Sequence, residues 1–114
     1  MGYLDRTTIE RAARYLLSLF EHTPQIRYSE HFYDGTEETG EALRDALGLE
    51  DGWYSPELLV DVAASQLQAM GVVETKPLDE RMADGEPDCE IRITDKGKAY
   101  TTGRKLPRFH DVNL

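Results

Sequence analysis

The chain has 114 residues, of which 39% are hydrophobic and 31% are charged, and its formal net charge is −9. This length and composition predict one soluble globular domain and exclude a disordered chain. Nowhere do about 18 apolar residues follow one another, so no membrane span is expected. The only cysteine, Cys89, excludes an internal disulfide, which favours a reducing, cytoplasmic location.

The charge is distributed unevenly along the chain. Residues 29–90 carry seventeen acidic side chains and three basic ones, whereas residues 91–114 carry six basic side chains and two acidic ones. An acidic surface of this kind keeps a small protein in solution, and it is also common in proteins of a salt-adapted source. It equally suits a protein that binds a basic partner, so charge alone leaves these interpretations open.

The first predicted helix begins near Thr7. Thr7 and Glu10 have capping-box spacing, in which each side chain bonds the other residue's backbone N–H. Thr23-Pro24 ends the segment, because the residue before a proline is disfavoured in helical geometry. Six apolar residues recur at helical spacing and predict one buried stripe: Ile9, Ala12, Ala13, Leu16, Leu17 and Phe20.

A short strand and a second helix are predicted next. Residues 25–35 are rich in aromatic and β-branched side chains, which predicts a strand followed by a turn at Asp34-Gly35. The helix is expected to be capped by Thr36 and to end at Gly48. Its expected buried residues are Ala42, Leu43, Ala46 and Leu47.

The third helix has the clearest start in the chain. Ser55-Pro56-Glu57 combines a cap, a proline at the first helical position and an acid in the first turn. A strand from Val72 to Thr75 follows, which Pro77 is expected to end, and Asp84-Gly85 predicts a hairpin tip. The expected inward stripe of the helix is Leu59, Val62, Ala63, Leu67 and Met70.

Beyond the tip, the sequence alternates between apolar and polar side chains. Cys89, Ile91 and Ile93 are expected on the buried face of a strand, with Cys89 acting as a small hydrophobic residue. Thr94 is expected to cap a short helix over residues 96–101, which Gly103 ends. A basic tail then continues to the end of the chain.

This order of helix, strand, helix, helix and two-stranded wing resembles the winged-helix class of helix-turn-helix domains. Two stretches carry the resemblance: Leu67-Gln68-Ala69-Met70-Gly71-Val72-Val73-Glu74, at the junction of recognition helix and wing, and Thr94-Asp95-Lys96-Gly97, where the wing ends. The resemblance covers roughly residues 5–101. It implies an α+β fold with a three-helix core, a two-stranded β-hairpin wing and a short C-terminal helix, in a domain over 1–101 followed by a tail over 102–114.

In winged-helix domains the third helix and the wing usually contact DNA. Here the segment from Pro56 to Met70 contains no Lys, Arg or His, and its expected outer face is Glu57, Asp61, Ala64 and Gln68. The wing carries five acidic side chains against Arg81 alone, so both elements would repel phosphates. We therefore predict a partner-binding acidic surface formed by Glu57, Asp61, Gln68, Asp79, Glu80, Asp84 and Glu86.

The resulting expectation is a non-catalytic recognition module that binds a protein partner rather than duplex DNA. The alternative is a DNA-binding transcriptional regulator, in which the winged helix acts with a basic patch made of Lys96, Lys98, Arg104, Lys105 and Arg108. The tail could instead be a solvated, disordered end. A homodimer is compatible with the class, but nothing in the sequence requires one.

Aromatic residues supply the anchors for such a surface. The candidates are Tyr28, Phe32, Tyr33, Trp53 and Tyr54, of which Phe32 and Trp53 are expected in the core.

Enzymatic and metal-dependent functions find no support in the sequence. His22, His31 and His110 lack ligand spacing, and the acidic stretch that starts at Asp79 has Arg81 where a calcium loop needs an oxygen ligand. No phosphate-binding glycine loop or nucleophile motif is present. We expect no catalytic residue, no metal and no cofactor.

Overall fold

The computed structural model describes residues 3–49, 55–101 and 104–113. Within these ranges the fold is α+β, with a three-stranded antiparallel sheet, a two-stranded sheet and five helices. The predictions for Trp53, Tyr54 and Gly103 lie outside the described residues. The elements in chain order are β1 (Tyr3–Leu4), α1 (Arg6–Ser18), β2 (Gln25–Arg27), α2 (Tyr28–His31), α3 (Glu37–Leu47), α4 (Pro56–Ala69), β3 (Val73–Arg81), β4 (Pro87–Ile93), α5 (Asp95–Lys98) and β5 (Val112–Asn113).

Helix α1 buries the predicted apolar stripe, and all six of its residues belong to the core. Its cap differs from the prediction. Asp5 is the N-cap, and its carboxylate accepts a hydrogen bond from the backbone N–H of Thr8 at 2.8 Å, so Thr7 lies inside the helix. Aspartate is as good a cap as threonine, and the sequence pattern did not separate the two. The Thr8 hydrogen bond also lowers the pKa of the Asp5 carboxyl.

Helix α3 has the predicted ends but a narrower buried face. Thr36 caps it by accepting a hydrogen bond from the Thr39 backbone, and Gly48 ends it in the left-handed conformation with a φ of 68°. Leu43 and Leu47 are buried, whereas Ala42 and Ala46 are exposed. The prediction for the two alanines was wrong, because α3 contacts α1 and α4 through its leucine edge only.

Helix α4 contacts α1, α3 and β3, which places it at the centre of the fold. Ser55 caps it as predicted by accepting a hydrogen bond from the Leu58 backbone. Ala64 was expected on the outer face but is only 7% exposed, since that side of α4 faces the sheet. Of the predicted inward stripe, Leu59, Ala63 and Leu67 are buried, and Val62 and Met70 are half-buried.

The three-stranded sheet has the order β2-β4-β3. The backbone N–H of Ile93 donates to the Pro24 carbonyl at 3.0 Å, so the backbone groups of Ile93 point toward β2. Backbone direction alternates along a strand, and therefore the backbone groups of Cys89, four residues earlier on β4, also point toward β2. Pro77 lies opposite Cys89, and its nitrogen therefore faces the open edge of β3. Proline has no backbone N–H, but at this edge no neighbouring strand is present among the described residues to accept a hydrogen bond, so the sheet loses none. The strand continues to Arg81, and the prediction that Pro77 ends it was wrong.

The strand predicted over residues 25–35 is much shorter, because β2 ends at Arg27 and α2 follows. A distant residue explains the difference. The buried carboxylate of Asp88 accepts hydrogen bonds from the Ser29 backbone at 3.1 Å and from the Ser29 hydroxyl at 2.6 Å. The Arg27 guanidinium lies 3.6 Å from the same carboxylate. The turn into α2 thus supplies partners to a buried acid that would otherwise destabilise the fold.

Beyond the hairpin, Thr94 caps α5 by accepting a hydrogen bond from the Gly97 backbone at 2.9 Å. The helix is shorter than predicted and ends at Lys98. Gly97 has no room for a side chain, since an added Cβ would lie 2.0 Å from the Val72 carbonyl oxygen. Cys89 was expected to be buried but is only half-buried on β4.

Residues 104–113 form a packed segment, here called the C-terminal strap. Leu106 is 5% exposed and Phe109 is 2% exposed, and both belong to the core cluster. The Gln66 side chain of α4 exchanges two hydrogen bonds with the backbone of His110, and β5 pairs with β1. The alternative of a solvated, disordered end was therefore wrong for these residues, because two apolar side chains anchor them.

Candidate recognition groove between α4 and the β3–β4 hairpin

Two adjoining hollows form one groove between α4 and the β3–β4 hairpin. The outer hollow, toward the hairpin tip, has a volume of about 530 Å³, and the inner one has a volume of about 350 Å³. Tyr28, Asp61, Pro87 and Cys89 line both, which makes the groove continuous. Other residues of the outer end are Tyr33, Ser55, Glu57, Met82, Asp84 and Glu86. Other residues of the inner end are Ala64, Ser65, Gln68, Thr75, Pro77, Asp88 and Ile91.

Four carboxylates meet at the outer end, although they come from distant parts of the sequence. Glu57 and Asp61 project from the first two turns of α4, while Asp84 and Glu86 come from the hairpin tip. None of the four makes an ion pair within the described part of the chain, in contrast to Glu80, Asp88 and Glu90 of the neighbouring sheet. Within the described ranges no basic side chain forms an ion pair with these carboxylates, and Arg81, a basic residue beside the tip, donates to the Gly85 carbonyl instead.

The other predicted partner-binding residues lie elsewhere. Gln68 is at the inner end, three turns of α4 away from Glu57. Glu80 lies outside both hollows, where its carboxylate pairs with the Arg27 guanidinium at 2.7 Å. Asp79 is exposed on β3 and lines neither hollow. The structure thus brings five of the seven predicted residues to the groove and leaves Asp79 and Glu80 outside it.

Two tyrosines give the groove an aromatic wall. Tyr28 is 6% exposed, packs its ring against Phe32 with centroids 5.3 Å apart, and donates its hydroxyl hydrogen to the Glu57 carbonyl at 3.4 Å. Burial raises the pKa of Tyr28, so it remains a neutral hydrogen-bond donor. Tyr33 is half-buried and lines the outer end. Phe32 is fully buried, in agreement with the prediction that it belongs to the core.

The groove walls also change the titration of two side chains. Desolvation raises the pKa of Asp61, and the neighbouring Glu57 carboxylate adds to that increase, while a hydrogen bond from Tyr28 opposes it. Burial raises the pKa of the Cys89 thiol to about 11, with smaller contributions from Asp88 and Asp61. At neutral pH the thiol is protonated, which makes it a poor nucleophile.

Contacts at its base and at its tip hold the hairpin in place. At the base, Asp88 joins β4 to α2 through the hydrogen bonds to Ser29. At the tip, Gly85 has a φ of 87° and its carbonyl accepts a hydrogen bond from Arg81 at 3.2 Å. An added Cβ at Gly35 would lie 2.7 Å from the Ala83 Cβ, so the tip rests closely against the turn after α2.

Sequence reasoning missed several lining residues. Tyr33 was considered only as a general anchor, while Met82 and the buried Asp88 received no separate role. The apolar alternation of β4 was a usable signal for Cys89, but only the three-dimensional fold places it beside Tyr28 and Asp61.

The predicted basic patch is divided between two places. Lys105 and Arg108 line a groove of about 410 Å³ together with Arg6 of α1, and Arg104 lies 5.6 Å from the Tyr100 ring centroid. The Lys96 ammonium donates to the Met70 carbonyl at 2.8 Å, and Lys98 lies 3.3 Å from the Asp95 carboxylate. Neither of these lysines lines the groove of Arg6.

The described residues contain no group of His, Cys, Asp or Glu side chains arranged to hold a metal ion. Among them, no helix has the length and apolar character needed to cross a membrane. Compared with known proteins, the chain matches no protein-family model, and no curated protein or solved structure is significantly similar to it.

Proposed function

We propose that this protein is a non-catalytic recognition module of winged-helix type that binds a basic protein partner through the groove between α4 and the hairpin. The order of α1, β2, α3, α4 and the hairpin supports the winged-helix part of the proposal, as does the strand order β2-β4-β3. A cytoplasmic location belongs to the proposal as well, since Cys89 has no partner for a disulfide.

One observation carries the proposal: four acidic residues from two separate elements line the same end of one groove, and their carboxylates form no ion pair with any described residue. In a DNA-binding pose, α4 and the hairpin would face phosphates, and these carboxylates would repel them. Helix α4 itself has no basic side chain to compensate. A basic protein surface gains from the same arrangement, because complementary charges accelerate association and fix orientation.

Binding to a labelled oligolysine peptide and to a short DNA duplex, at the same ionic strength, tests the proposal. We expect the peptide to bind and the duplex to bind much more weakly. The double variant Glu57→Lys with Asp61→Lys should weaken peptide binding about tenfold or more. The matched control is Glu37→Lys with Glu38→Lys, which makes the same change of charge on α3, outside the groove. Equal losses in both double variants, or tighter binding of the duplex, would contradict the proposal.

A second candidate function is DNA binding through the strap. The observation that favours it is the groove lined by Arg6, Lys105 and Arg108, whose side chains make no ion pair within the described ranges. A mobility-shift assay at low salt tests it with Lys105→Glu and Arg108→Glu. Loss of a shift seen with the unchanged protein would favour DNA binding, and absence of any shift would leave protein recognition as the function.

A further inference from the structure

The two ends of the groove differ in chemistry. The outer end combines unpaired carboxylates with the rings of Tyr28 and Tyr33 and the side chain of Met82. The inner end is lined mainly by neutral side chains from α4 and β3, among them Ser65, Gln68 and Thr75. The one other acid there, Asp88, is 3% exposed and already bonded to Ser29 and Arg27. Asp61 and Tyr28 are shared by both ends, so the groove is most acidic at its outer end and becomes mainly polar and neutral toward its inner end.

We propose that the outer end receives an arginine side chain from an extended segment of the partner, and that the neighbouring residues of that segment lie along the inner end. This inference rests on the proposed function and specifies the chemistry of the partner. At the inner end the Thr75 hydroxyl already donates to the Gln68 side-chain oxygen, and the Ser65 hydroxyl and the Gln68 amide N–H groups suit hydrogen bonds to a peptide backbone.

The chemistry of the lining favours arginine over lysine at the outer end. Glu57 and Asp61 come from α4 and Asp84 and Glu86 from the hairpin, so a cation that enters this end meets acidic residues from both elements. A planar guanidinium offers several N–H donors in fixed directions and also stacks on aromatic rings. A lysine ammonium is a hydrated point charge that gains less from a tyrosine wall.

Three acids of the neighbouring sheet differ from those of the outer end, because they already pair with basic side chains. Glu80 and Asp88 share the Arg27 guanidinium, and Glu90 pairs with Arg92, so these acids already have cations. The acids of the outer end accept only hydrogen bonds, such as those of Ser55 to Glu57 and of the Glu86 backbone to Asp84. An incoming cation thus meets carboxylates whose charge is still available.

The test uses three short glycine-serine peptides with one central residue, which is arginine, lysine or citrulline. Each peptide is titrated into the isotopically labelled full chain, and amide shifts are followed by NMR. We expect the arginine peptide to shift the amides of Tyr33, Asp61 and Glu86 and to bind about tenfold more tightly than the lysine peptide. The citrulline peptide, which keeps the shape of arginine without its charge, should not bind.

Two variants separate the contributions, and each is checked for folding by its amide spectrum. Tyr33→Leu keeps an apolar wall and removes the ring, so it should reduce arginine binding and abolish the preference over lysine. Asp61→Asn with Glu86→Gln should weaken binding of both cationic peptides. The matched control, Glu37→Gln with Glu38→Gln, removes the same charge from α3 and should change neither.

The outcomes distinguish this inference from the proposed function. Equal binding of arginine and lysine peptides, with no effect of Tyr33→Leu, would overturn the arginine site while the oligolysine experiment still supports an acidic recognition groove. Shifts confined to α1 and the C-terminal strap would also overturn it. If oligolysine itself does not bind, both the proposed function and the arginine site are contradicted.

Discussion

The C-terminal strap and the hairpin arm over residues 78–86 look alike in sequence, since both are short, charged and without strong periodicity. In the fold they differ. The strap buries Leu106 and Phe109 in the core, whereas the hairpin arm contributes only the half-buried Leu78 and Met82. The comparison teaches that two well-placed apolar residues, rather than net charge, decide whether a charged segment belongs to the folded core.

The same difference in burial predicts that the strap contributes more to the stability of the domain than the arm does. Burial of a large aromatic side chain removes apolar area from water and stabilises the whole domain. The arm has little such burial, so most of its side chains are exposed and contribute little to the stability of the domain. Substitutions in the two regions should therefore have opposite profiles. Variants in the strap, in the arm and in α4 test this, in order of decreasing effect on stability.

Phe109→Ala should have the largest effect. Phe109 is 2% exposed, and truncation of a buried phenylalanine lowers the free energy of unfolding by about 3–5 kcal/mol. Met82→Ala in the arm should cost about 1 kcal/mol or less, because Met82 is only half-buried. Urea denaturation measures both changes. A Phe109→Ala loss no larger than that of Met82→Ala would remove the distinction between the two regions.

Gln66→Ala should have an intermediate effect. The Gln66 amide donates to the His110 carbonyl at 2.8 Å and accepts from the His110 N–H at 2.9 Å, and each bond contributes about 0.5–1.5 kcal/mol. The loss of both should appear in denaturation and as faster hydrogen exchange in β5. Ser65→Ala is the neighbouring control. Unchanged exchange at Val112 would mean that the apolar anchors alone hold the strap.

Asp61→Asn should stabilise the domain slightly at neutral pH. The folded-state pKa of Asp61 is raised above its ordinary value of 3.8, so ionisation destabilises the fold as the pH rises from that value through the folded pKa. Below the ordinary pKa both proteins should unfold at the same temperature, and above the folded pKa the asparagine variant should melt higher. Thermal melts near pH 3 and near pH 7 measure this difference. A constant difference at both pH values would exclude ionisation as its cause.

Asp84→Asn with Glu86→Gln should have the smallest effect on stability. Both acids are exposed on the arm and make no ion pair within the described residues, so the free energy of unfolding should change by about 0.5 kcal/mol or less. Binding of oligolysine should nevertheless fall. A substantial loss of stability in this variant would show that the hairpin acids serve the fold instead.

Local signals predicted much of the secondary structure. The caps Thr36, Ser55 and Thr94 each bond a backbone N–H three residues away, and the buried stripe of α1 follows helical spacing, so both depend only on nearby sequence. The first cap was predicted at Thr7 and is Asp5, because an aspartate two residues earlier is an equally good cap.

The misplaced elements depend on distant contacts. Residues 28–31 become helical because Asp88 lies beside them, a contact that spans 59 positions. Pro77 does not end β3, because its register against Cys89 decides which way its nitrogen points.

The candidate groove was predictable only in part. The acidity of α4 and of the hairpin was visible in the sequence, and it singled out Glu57, Asp61, Asp84 and Glu86, which the fold brings to one end of the groove. Their meeting with Tyr33 and Met82 depends on the angle at which the hairpin packs, and no spacing along the chain encodes that angle. For the same reason the sequence could not show that the Glu80 carboxylate forms an ion pair with the Arg27 guanidinium.

The orientation of Pro77 has a consequence for how the protein behaves at high concentration. A free sheet edge normally invites another molecule to add a strand and begin an aggregate. Here the outward backbone position at residue 77 has an acceptor but no donor, and charged neighbours, Lys76 and Asp79, lie along the same edge. The proline and these charges therefore discourage strand addition by other molecules at this edge of the sheet.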